Sequence, residues 1–183
     1  MLKTLLSRQL DRFERTWSYD AGYLRRLLAA SPVSLLKFNL VSGMAPRSAA
    51  PLAALVAAEI VATLSEDCGP CIQLAVDRAA AAGVAPEVLR AILNGDQDAM
   101  GSDAAIAWRF ARATLGRDLA LADRLREEVL NHWGERGLAA LALTLTTARL
   151  YPTLKYAMGH GGSCARVIVD GRPMVPMQSE GVL

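Results

Sequence analysis

Alanine and leucine supply about a third of the 183 residues, and they recur in runs with helical spacing. Both are strong helix formers, and the β-branched residues that favour strands are comparatively few. An all-β chain is excluded. The clearest run is Ala49–Leu64, sixteen residues with one charge, Glu59, inside it. A bilayer span needs roughly 20 apolar residues, so the run reads as a buried helix of a bundle, partly covered by another subunit. Hydrophobic residues are 52% and charged residues 21%, the opposite of a disordered chain. The length suits one domain, or one domain with an extension.

The pattern predicts helices almost throughout. Leu2, Leu5, Leu6, Leu10 and Phe13 fall on one helical face. Ser18 is placed to cap a second helix reaching Ala30, and Ser31-Pro32 opens a third over Val33–Val41. Ser42–Ser48 has the composition of a linker. It divides an N-terminal helical extension, residues 1–47, from a main helical domain, residues 48–165. Within that domain Asp67 is placed to cap a helix over Cys68–Ala82, and Pro86 to begin one stopping at Asn94-Gly95. Asp118 opens a helix that Gly134 breaks; Gly137–Leu150 forms another, and Pro152 starts a last one. Residues 166–183 change character. Arg166–Val169 and Arg172–Val175 flank Asp170-Gly171, the signature of a small hairpin. It reads as an arm for a neighbouring subunit.

The net charge of +2 is too small to argue for nucleic acid. Residues 1–47 carry eight Lys or Arg against three acids, a local excess of +5. That face is a solvated surface or a contact for an acidic partner or anionic membrane. It lacks the interleaved aromatics of a single-stranded nucleic-acid binder. The N-terminus meets charge too early for a secretory signal, so the expected compartment is the reducing cytoplasm. There, two close cysteines point to catalysis or metal rather than a staple.

Those cysteines are Cys68-Gly69-Pro70-Cys71. Three apart on a helix, their Cβ atoms lie roughly 5–6 Å apart, within reach of a disulfide. A thiolate at a helix N-terminus gains from the unpaired N–H groups and the dipole. Glu66 and Asp67 oppose a further negative charge. The same tetrapeptide occurs in thioredoxins, whose fold needs a strand leading into it. Here the approach is Ala/Leu-rich and helical, so that fold is rejected and the dithiol chemistry kept.

The stretch from Glu59 through Cys68-Gly-Pro-Cys71 and Ala79–Ala82 to Gly83-Val-Ala-Pro-Glu87 resembles the carboxymuconolactone decarboxylase-like superfamily, in its alkylhydroperoxidase D-like branch. The resemblance covers roughly residues 49–95. It implies an all-α fold, assembly as trimers or hexamers, and a dithiol that reduces peroxides or passes electrons to partners. The family's His, four residues after the second Cys, falls at Ala75. Its Glu, twelve residues before the first, falls at Val56. Glu59 lies one turn later and is the candidate displaced proton relay. By the resemblance Cys71 meets the peroxide and Cys68 resolves the product, with a dithiol or thiol protein as electron donor and no cofactor.

A second constellation is His160-x-x-x-Cys164. With Cys68 and Cys71 it would complete a Cys3His zinc site. Alternatively, the glycine-flanked His160 is the missing base for Cys71, and Cys164 a free or exchanging thiol. The readings left open are a peroxidase or thiol–disulfide oxidoreductase, a zinc-bound or oligomeric binding module, and a degenerate family member that binds a small apolar ligand between subunits, its cysteines inert.

Overall fold

The computed structural model of the chain describes residues 1–45, 48–161 and 166–177. The fold is all-α, with eight helices and one two-stranded hairpin among the described residues. Three helices form an N-terminal layer: α1 (Leu2–Trp17), α2 (Gly22–Ala30) and α3 (Pro32–Ser42). Leu6 and Leu10 of α1, Tyr23, Leu24 and Leu28 of α2, and Leu35 of α3 build a small core with Tyr19 and Ala21. Arg25 ties α2 to α1 through Asp11, at 2.7 Å, and Glu14. The Ser31 hydroxyl accepts from the Ser34 N–H at 3.2 Å, and Pro32 fits the first turn of α3.

Ser18 does not cap α2. It ends α1 in a left-handed conformation, φ 48°, and α2 starts at Gly22. Residues 18–21 form the turn between α1 and α2, and at its end the Asp20 carboxylate takes the Gly22 N–H at 2.8 Å. That turn sends Tyr19 inward, where it is buried.

The larger core lies among α4 (Leu52–Leu64), α5 (Gly69–Ala81), α6 (Pro86–Asn94), α7 (Ser102–Leu115) and α8 (Leu119–Ala157). Ten of the thirteen α4 residues are buried. Alanines of α4, Ala104, Ala107 and Ala111 of α7 and Ala140 of α8 all belong to that buried core, and their small side chains let the helices pack closely. α5, α7 and α8 thus enclose most of α4 within the chain itself.

α8 spans the three helices expected over residues 118–159: two segments meet at the expected break, Gly134, and the second runs on through Pro152. Gly134 breaks it locally, at φ 63° and ψ −170°, a conformation open to glycine alone. Pro152 lies inside α8 rather than at a start. A proline there costs one hydrogen bond, and burial of Pro152 against the bundle holds the helix through it.

β1 (Val167–Val169) and β2 (Arg172–Met174) pair antiparallel around Asp170 and Gly171, both at positive φ as a type I′ turn requires. The hairpin packs on its own chain. Val167 and Val169 are buried in the main core. The Gln73 amide donates to the Ile168 carbonyl at 3.0 Å and accepts from the Ile168 N–H at 2.7 Å. A side chain of α5 thus stands in for a neighbouring strand. No helix among the described residues is long and apolar enough to cross a membrane.

Candidate active site at the Cys68–Cys71 pair

Cys68 and Cys71 form a disulfide, with Cα atoms 5.2 Å apart. Asp67 is not the cap of α5. It takes a left-handed conformation, φ 49°, and Cys68 itself is the capping residue. The N–H groups of Cys71 and Ile72 both donate to the Cys68 carbonyl at 2.9 Å. This geometry turns the Asp67 carbonyl toward α8, where the Tyr156 hydroxyl donates to it at 2.7 Å and to the Glu66 carbonyl at 3.1 Å. Arg149, also on α8, pairs with the Glu66 carboxylate. Two side chains of α8 therefore fix the turn that enters the dithiol. Burial raises the Tyr156 pKa, and the nearby charges of Asp67 and Glu66 raise it further, which keeps the phenol a donor.

A cavity of about 270 Å³ lies between the N-terminal layer and α4, α5 and α8. Cys71 forms part of its wall and Cys68 does not. Cys68 is 0% exposed and Cys71 5%. A reactant small enough for the cavity meets the Cys71 sulfur first. Val56 and Ala75 also line the cavity. These are the two positions where the resembled family carries Glu and His.

Glu59 lines the same cavity and faces Arg78 across 3.6 Å, each side chain about one-third exposed (32%). The carboxylate expected as proton relay thus shares a chamber with Cys71, beside a guanidinium. His160 is brought to the second helix instead. Its ring lies 6.4 Å from that of Tyr23, and a Cβ on Gly22 would come within 3.0 Å of it. It is not part of the cavity wall. Cys164 lies outside the described residues. Among the described residues no group of three or more His, Cys, Asp or Glu side chains gathers as a metal site would require. Joined to each other, Cys68 and Cys71 have no thiolate to offer a metal.

Sequence reasoning missed the aromatic side of the site. The Tyr19 hydroxyl is 3.9 Å from the Cys71 sulfur and 3.3 Å from the Tyr23 hydroxyl. Phe13 meets the Tyr19 ring edge-on at 5.6 Å, and the Lys155 ammonium stands 5.4 Å over its face. Burial raises the Tyr19 pKa, while the hydrogen bond with Tyr23 acts the other way. Burial raises Tyr23 as well, and there the same bond adds to the rise. The four-residue spacing of Tyr19 and Tyr23 was the available signal. It carried nothing until α1–α3 docked on α5 and α8.

No family model, no curated protein and no solved structure matches this chain.

Proposed function

We propose that the chain is a dithiol oxidoreductase that reduces hydroperoxides or disulfides through Cys68 and Cys71. The observation that carries this reading is a disulfide between cysteines three residues apart, with only Cys71 opening into a small cavity. The resemblance to the alkylhydroperoxidase D-like branch supports it. So does the placement of Val56, Ala75 and Glu59 around the same chamber.

In the peroxide reaction the Cys71 thiolate attacks one peroxide oxygen. An S–O bond forms and the O–O bond breaks. The leaving alkoxide takes a proton and departs as the alcohol. The Cys68 thiolate then attacks the sulfenic sulfur of Cys71, closing the disulfide and releasing water. A dithiol or a thiol protein returns two electrons by exchange. Glu59 accepts the thiol proton, directly or through a water. No cofactor takes part. By the same resemblance the protein works as a homo-oligomer, and its three cysteines fit a reducing, cytoplasmic compartment. Light scattering of the purified protein tests the assembly.

Intact mass before and after one equivalent of tert-butyl hydroperoxide tests the chemistry. Loss of two hydrogens, reversed by dithiothreitol and absent from Cys68→Ser and Cys71→Ser, supports it. Undiminished peroxide consumption in both variants overturns it. A bound zinc in the native mass spectrum would favour the Cys3His module instead.

A second cavity of about 340 Å³, among Leu10, Phe13, Trp17, Asn39 and Tyr151, favours a ligand-binding role as the second reading. That reading expects a small apolar molecule to bind with the thiols unchanged.

A further inference from the structure

We infer that Tyr19 donates a hydrogen bond to Cys71 and holds it as a thiolate once the disulfide opens, so the N-terminal layer completes the reactive site. The inference rests on the dithiol reading above and names a residue that reading does not use.

A disulfide sulfur carries no hydrogen, so the Cys71 sulfur can only accept. Between the Tyr19 and Tyr23 hydroxyls, 3.3 Å apart, there is room for one hydrogen. When Tyr23 supplies it, the hydrogen of Tyr19 is left for the sulfur at 3.9 Å. The relay thus runs from Tyr23 to Tyr19 to Cys71.

The ring of Tyr19 is buried between Phe13 and Tyr23, with centroids 5.6 Å and 6.5 Å away. Its hydroxyl is therefore fixed before any charge appears on the sulfur. A contact of 3.9 Å is long for a neutral acceptor, and it strengthens when the sulfur becomes an anion. When the thiol ionises, its proton leaves to Glu59 or water and Tyr19 keeps its own. Other charged or titratable groups face the pair from every side. Glu59 of α4 and Arg78 of α5 line the cavity as an ion pair, with Tyr151 of α8 beside them. Lys155 of α8 covers the Tyr19 ring, Asp20 adjoins it in sequence, and His160 stands by Tyr23. All of these stay in place when one hydroxyl is removed.

The test uses the full chain carrying Cys68→Ser and Cys164→Ser, so that Cys71 is the sole thiol. Iodoacetamide alkylation is followed against pH. Tyr19→Phe is expected to move the midpoint up by about one pH unit, tenfold less thiolate at neutral pH. Tyr23→Phe is expected to move it the same way by less. A packing role alone would change the rate by one factor at every pH and leave the midpoint alone. Unmoved midpoints in both variants overturn the inference. Should Tyr19→Phe fail to fold, the direction in Tyr23→Phe decides. The assay needs no oxidant, so a shifted midpoint in a protein that reduces neither hydroperoxide nor disulfide retires the redox reading and keeps this one.

Discussion

The Tyr19 hydroxyl and the Cys71 sulfur lie 3.9 Å apart, although the two residues are fifty-two positions apart in the sequence. The contact joins the turn between α1 and α2 to the first turn of α5. It also walls the disulfide off from that side. Tyr19→Ala removes the wall. The variant is expected to lose about 3 kcal/mol of stability, in line with other aromatic truncations in cores. Its disulfide should be reduced faster by a phosphine. Urea unfolding and timed alkylation after phosphine treatment check both. An unchanged reduction rate would mean that reductant reaches the sulfurs by another route.

Alkaline pH should destabilise the fold through the same two phenols. Burial raises both Tyr19 and Tyr23 above the ordinary value of 10.0. In the unfolded chain they ionise near that value, so above it the unfolded state binds fewer protons and stability falls with rising pH. Their contribution is fully present below about pH 10. Thermal melts between pH 8 and 11 should show the decline, with a shallower slope in Tyr23→Phe.

Gln73→Ala removes both hydrogen bonds to Ile168 and leaves the Ile168 carbonyl and N–H without that partner. A cost of about 1–3 kcal/mol is expected. Hydrogen exchange should quicken at Val167–Val169 and Arg172–Met174 while the α4 amides stay protected. Equal acceleration in α4 would show that the hairpin and α4 open as one cooperative unit.

Two glycines of α8 should respond for different reasons. At Gly134 a new side chain meets open space, so Gly134→Ala carries only backbone strain, about 1–3 kcal/mol. At Gly137 a Cβ would fall 2.2 Å from the Trp133 Cβ, so that stretch of α8 must shift. Gly137→Ala should be the more damaging in chemical denaturation.

Glu59→Gln separates stability from chemistry. The ion pair with Arg78 is about one-third exposed, so its loss should cost no more than about 0.5 kcal/mol. Peroxide turnover should fall about a hundredfold if Glu59 takes the thiol proton. Full turnover with an intact fold would remove it from that role.

The helices were legible wherever punctuation and periodicity agreed. Pro32, Pro86 and Gly95 bound helices as their chemistry demands. Asp170-Gly171 makes its hairpin for the same reason. Local signals misled where tertiary contacts outweighed them. Asp67 looks like a cap, yet Tyr156 takes its carbonyl from a distance of 89 residues. Pro152 looks like a start, yet α8 runs through it. The cysteine pair was readable from spacing alone. Its neighbours Tyr19, Arg78 and Tyr151 come from three separate regions, and no short pattern joins them.

The burial of α4 has a consequence for synthesis. This helix is apolar on nearly every face, and its covers, α7 and α8, begin only at Ser102 and Leu119. A ribosome completes α4 well before it has made either. For that interval the growing chain presents an uncovered greasy helix, with only the small N-terminal layer already made. Holding by a chaperone, or a translation rate fast enough to shorten the wait, would decide how much of the protein reaches its native form.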